Sequence, residues 1–159
     1  MTSKNIQYIT YNEVLDVYTR TVEKSGGGFS GVRDEDGIKT IIEFVQNDIY
    51  YPNFVSKLSY IVFRFCSGHF FFDGNKRIAL TLGTYFLHKN GHNWAAVTFM
   101  KRMEAIVYHI AAGNISEELL LQIMQCIVEC TDFSESLKID IANAMSKGKI
   151  DTDENYIDD

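Results

Sequence analysis

The chain has 159 residues, 46% of them apolar and 23% charged, the balance of one ordinary globular domain able to bury its own core without disulfides or a structural metal. A formal charge of −6 argues against the basic surface that nucleic acid or an anionic membrane requires, so neither is an expected partner. The amino-terminal residues lack the apolar core of a signal peptide, no apolar run is long enough to span a bilayer, and the three cysteines form no C-x-x-C pair, which together read as a cytoplasmic protein with free thiols.

Thr10 and Glu13 have the spacing of a capping box, and Val14, Val17, Tyr18 and Val22 follow at helical period, so a first helix is expected to end before the glycine run 26–28. Asp34 can cap a second helix with Ile38, Ile41, Ile42 and Val45 on one stripe. Residues 47–53 carry β-prone side chains and the only proline, and read as an exposed connection with some strand character. From Phe54 to Cys66 the chain is apolar around most of a helix, and Ile78–Leu87 is apolar nearly all round, ending at Asn90-Gly91; the latter is the expected central helix. Further helices are expected from Thr98 to about Gly113, with Trp94 as a loop anchor, from a cap at Asn114 with Glu117, and from Asp132 to Gly148. The expectation is an all-α, compact single-domain bundle of about seven helices over residues 1–150, followed by an acidic mobile tail at 151–159.

Between the two most apolar helices lies a concentrated polar stretch: His69, Phe70, Phe71, Phe72, Asp73, Gly74, Asn75, Lys76 and Arg77. A loop running straight into a helix turns its backbone N–H groups toward one point and so makes an anion site. Gly74 lets a ligand approach the backbone, Asn75 can donate an amide, and Lys76 and Arg77 suit phosphate oxygens. Asp73 would repel a bare phosphate but accommodates one with a hard divalent cation between them, and His69 is a residue type that can take a proton from an attacking hydroxyl near neutral pH. Base, metal ligand and anion hole together specify phosphoryl or nucleotidyl transfer. The plainer alternative makes His69 a structural loop residue, Asp73 a helix cap and the two cations a solvated face.

The pattern H-x-F-x-D-G-N-K-R, which leaves only Phe70 and Phe72 unconstrained, resembles the signature of the Fic/Doc (Fido) family. The likeness extends from about Tyr8 to about Gly148, and includes Gly31-Val32-Arg33-Asp34 before the second helix. The resemblance implies the all-α Fido fold with a small flap between helices two and three, and ATP with Mg2+ at the loop. It makes His69 the base, Asp73 the metal ligand, Gly74 and Asn75 the anion hole, and Lys76 and Arg77 the phosphate contacts. Asp48, Ile49, Tyr50 and Tyr51 fall where the family places its target-docking flap.

Two departures from the AMP-transferring members bear on the reaction. Lys76 stands where they have glycine, and Leu80 where they have a second arginine for the γ-phosphate. Both resemble the death-on-curing (Doc) toxin branch. That branch implies a kinase that phosphorylates a bacterial target of the translation elongation factor class, elongation factor Tu among them. Gly74, where that branch often has alanine, keeps protein AMPylation as the alternative. A non-catalytic nucleotide- or partner-binding module is the third reading. The family's self-silencing motif S/T-x-x-x-E-G/N is incomplete at Thr19 to Lys24 and at Thr131 to Ser136, so a separate antitoxin protein carrying it is the expected partner.

Overall fold

In the computed structural model, which describes residues 5–24 and 31–148, seven helices form one bundle around a common core. They are α1 (Tyr11–Lys24), α2 (Glu35–Phe44), α3 (Phe54–Ser67), α4 (Asn75–Lys89), α5 (Asn93–Ala111), α6 (Glu117–Glu129) and α7 (Glu135–Lys147). The glycine run and the acidic tail lie outside the described residues. α4 packs against α1, α3 and α5, and its Ile78, Ala79, Leu82, Phe86 and Leu87 are completely enclosed, as expected of the central helix. A ring stack of Phe54 on Phe86, with centroids 4.9 Å apart, fixes the start of α3 against the end of α4.

Helix starts follow local chemistry. Thr10 and Glu13 exchange the two bonds of a capping box (3.2 and 3.0 Å), and the Asp34 carboxylate accepts from the Gly37 N–H at 2.8 Å. Four boundaries differ from the sequence expectation. α4 begins at Asn75, directly after the polar loop, rather than at Ile78. α5 begins at Asn93, because Ala95 and Ala96, too small to mark a hydrophobic period, are buried in its first turn. Trp94 therefore rides that turn, 84% exposed, and anchors nothing. The caps of α6 and α7 are Ser116 and Ser134, each accepting at 3.1 Å, while the Asn114 amide is taken by His109 Nδ1.

The connection 47–53 is built of turns rather than extended chain. Asn47 accounts for this: its side chain accepts from the Ile49 N–H (2.9 Å) and its carbonyl from the Tyr51 N–H (2.9 Å), closing the chain on itself. Underneath, the wholly buried Lys57 ammonium donates to the Val45 carbonyl (2.9 Å) and to Asp48 Oδ1 (2.8 Å), which ties the connection to α3. Cys66 is buried, Cys126 half-buried and Cys130 exposed, all as thiols. Among the described residues no helix is long and apolar enough to cross a membrane.

Candidate active site

The polar stretch spans the handover from α3 to α4, and its three consecutive phenylalanines take different environments. Phe70 is buried, edge-on to Phe65 at 5.4 Å, and passes so near α2 that a Cβ on Gly37 would come within 2.7 Å of its ring. Phe71 is buried and stacked on Tyr18 of α1, centroids 4.3 Å apart and planes 8° from parallel. Phe72 is exposed. Two rings thus pull the middle of the loop into the core and leave its flanks at the surface.

The backbone is held as firmly. Phe70 O accepts from the N–H groups of Arg33 (2.8 Å) and Asp34 (3.1 Å), Phe72 N–H donates to Gly31 O (3.2 Å), and Val32 and Phe71 form an isolated antiparallel bridge. The other edge is closed by Asn75, whose side-chain oxygen accepts from Phe71 N–H at 3.1 Å and whose amide donates to Phe71 O at 2.9 Å. The Asn75 side chain therefore shapes the loop, while its backbone N–H lies in the first turn of α4.

This bracing sets the exposed groups. His69 is exposed and takes φ +52°, a conformation costing a non-glycine residue about 1–2 kcal/mol that the surrounding bonds must hold in place. The N-cap of α4 is Gly74 rather than Asp73; it is buried, has φ +76°, and a Cβ there would meet nothing within 4 Å among the described residues. Asp73 is half-buried just before it. The two cations diverge. Lys76 is buried, its ammonium 5.4 Å from the Tyr108 ring centroid on α5, close enough to Cys66 to oppose in part the rise in thiol pKa that burial causes. Arg77 faces the opposite way, onto a cavity of about 510 Å³ between α1 and α4. Leu80 and Val17 contribute apolar wall to that cavity, and the exposed Asp16–Arg20 pair lies along it.

His69, Asp73, Gly74, Asn75, Lys76 and Arg77 follow one another along the passage from α3 into α4, with Lys76 and Arg77 turned to different sides, whereas Asp48, Ile49, Tyr50 and Tyr51 belong to the separate turn between α2 and α3. Sequence reading missed Tyr18, Phe70 and the backbone of 31–34 as supports of the loop. A signal for one of them was present: glycine inside a helix, as at Gly37, is unfavourable by about 1 kcal/mol and implies a close neighbour.

An all-helical bundle that carries an exposed histidine and a half-buried carboxylate ahead of a helix amino end on one braced loop holds the groups that transfer between an anionic donor and a nucleophile would use. A family profile described as the Fic/DOC family matches residues 8–87, and the chain belongs to that family. At family level it is a Fic-type protein-modifying enzyme, of a kind that transfers nucleotide-derived groups to proteins. Comparison with curated proteins and with solved structures gave no match.

Proposed function

We propose that the chain is a Doc-type protein kinase that moves the γ-phosphoryl group of ATP to a hydroxyl of a bacterial target protein. The observation that supports phosphorylation over AMP transfer is Leu80, buried one turn beyond Arg77 on the cavity wall, where an arginine would otherwise hold a γ-phosphate. In this reading the target hydroxyl oxygen attacks the γ-phosphorus, the bond to the bridging oxygen breaks, ADP leaves and the hydroxyl proton passes to His69. The amino end of α4 and Arg77 hold the phosphates, while buried Lys76 adds positive charge from the α5 side. The donor set suits magnesium, because Asp73 offers a hard carboxylate oxygen just ahead of the amino end of α4; bound there, the ion would neutralise phosphate charge.

The same reading makes the protein a toxin whose target is of the translation elongation factor class, elongation factor Tu being one candidate. A separate antitoxin carrying S/T-x-x-x-E-G/N would be the partner that restrains it. AMP transfer is the competing chemistry, favoured by glycine at position 74, where a Cβ would meet nothing within 4 Å among the described residues. The test is incubation of a bacterial lysate with the protein and ATP labelled at either the α- or the γ-phosphate, followed by intact-mass analysis of the labelled protein. The kinase predicts γ-label and an added phosphate; α-label and an added AMP would overturn it. His69→Ala should lower the rate about 10²–10⁴-fold, whereas a module that only binds would transfer no label with either histidine or alanine.

A further inference from the structure

Away from the loop, the turn between α2 and α3 overhangs a second cavity, of about 210 Å³, closed on its far side by the first turn of α6. Its walls are rings: Tyr51 and Tyr60 lie 4.3 Å apart, and Tyr50 and Phe63 complete them. Burial, reinforced by neighbouring charge, holds the Tyr51 phenol at about 12, so the wall stays neutral. Glu117 and Glu118 stand at the lip, exposed and in no ion pair among the described residues; Arg64, outside the lining, hydrogen-bonds the Tyr60 hydroxyl. Ser59 is only 6% exposed and lines the cavity, and its hydroxyl has no hydrogen-bond partner among the described residues. That hydroxyl can hydrogen-bond a polar group that enters the cavity.

We propose that this cavity receives a lysine or arginine side chain of the protein substrate, its aliphatic stem or guanidinium plane against the tyrosines and its charge at Glu117 and Glu118. Charge selects this occupant: two carboxylates repel a phosphate or an acidic side chain, and the facing rings favour a cation. The inference rests on the protein-modifying reading of the loop, because α3 connects the two places. From Ser59 to Ser67, where α3 ends, is eight residues, roughly 12 Å of helix. That corresponds to roughly four residues of extended chain, so the basic residue is expected about that far from the modified hydroxyl.

Direct binding is tested by titrating the full chain with N-acetyl-arginine amide and N-acetyl-lysine amide in two-dimensional NMR, with N-acetyl-norleucine amide as the uncharged control. Saturable shifts centred on Ser59, Tyr60 and Glu118, at least about fivefold weaker with norleucine and weakened to a similar degree in a Glu117→Gln/Glu118→Gln variant, are expected. Equal response to norleucine, or shifts elsewhere only, would overturn the proposal; both glutamates are exposed, so folding of the variant is not in question. In the lysate assay the same variant should raise the half-saturating concentration of the labelled target severalfold more than it lowers the maximal rate. If the wild-type chain transfers no label at all, the transferase reading fails, and the titration still decides the cavity.

Discussion

Two connections of similar length lead into α3 and out of it, and they are held in different ways. The loop 69–74 has both edges bonded, to 31–34 on one side and to Asn75 on the other, with Phe70 and Phe71 sunk in the core. The connection 47–53 is fastened by Asn47 and by the Asp48–Lys57 pair, and beyond them Ile49 is 88% and Tyr50 65% exposed. In the proposed function, the over-determined backbone and rings of the first would keep a base and a helix end at fixed spacing, and the apolar side chains the second leaves in solvent would be there for a partner to cover.

The largest effect is expected at Phe71. Phe71→Ala removes a fully enclosed ring stacked on Tyr18 and should cost about 3–5 kcal/mol in urea unfolding, while Ile49→Ser, changing an exposed side chain, should stay within about 0.5 kcal/mol. Similar losses at the two positions would erase the distinction between a braced loop and an open turn.

Next comes the fastening under the turn. Asp48→Ala leaves the buried Lys57 ammonium with only the Val45 carbonyl and the Tyr8 ring, at 5.4 Å, and should cost about 1–3 kcal/mol. Asp48 is itself about half exposed, which places the expected loss toward the lower end. Adding Lys57→Met should restore much of the stability, since the charge that needed a partner is gone. An unchanged midpoint in the single variant would mean that Asp48 contributes nothing to holding the turn and is available to a partner in full.

What could be read in the sequence follows from the range of each interaction. Caps at Thr10 and Asp34 and the apolar period of α3 and α4 act over a few residues, and they are where expected. The polar loop stood out because five polar residue types fell between two apolar helices. The partner of Phe71 did not, because Tyr18 is joined to it only by the fold, and nothing local distinguishes a tyrosine that stacks under a loop from one that faces solvent. Asn75 was read as a donor to a ligand, and its closed pair of bonds to Phe71 was not foreseen, because an amide can serve either a ligand or the backbone. Residues 47–53 were read as strand-like from their aromatic and β-branched content, a preference that the Asn47 bonds override.

The smallest expected effect lies on the helix that supports the loop from below. Glu13 on α1 accepts from the Lys89 ammonium at 2.6 and 2.7 Å and from the Tyr85 hydroxyl, seating α1, and with it Tyr18, on α4. Burial alone would raise the Glu13 carboxyl; the hydrogen bonds from Lys89, Tyr85 and Thr10 outweigh it and hold the group at about 2, below its ordinary 4.5. A carboxyl lowered by folding stabilises the protein fully above its unfolded value and loses that contribution as pH falls from about 4.5 toward 2. With a quarter of the side chain in solvent, the contribution is about 1–2 kcal/mol rather than the full linkage value. Urea unfolding of wild type and Glu13→Gln across this window should therefore show a gap of that size at neutral pH that closes on acidification. Parallel curves at every pH would mean that the seating of α1, and through Tyr18 the support of the loop, does not depend on the Glu13 charge.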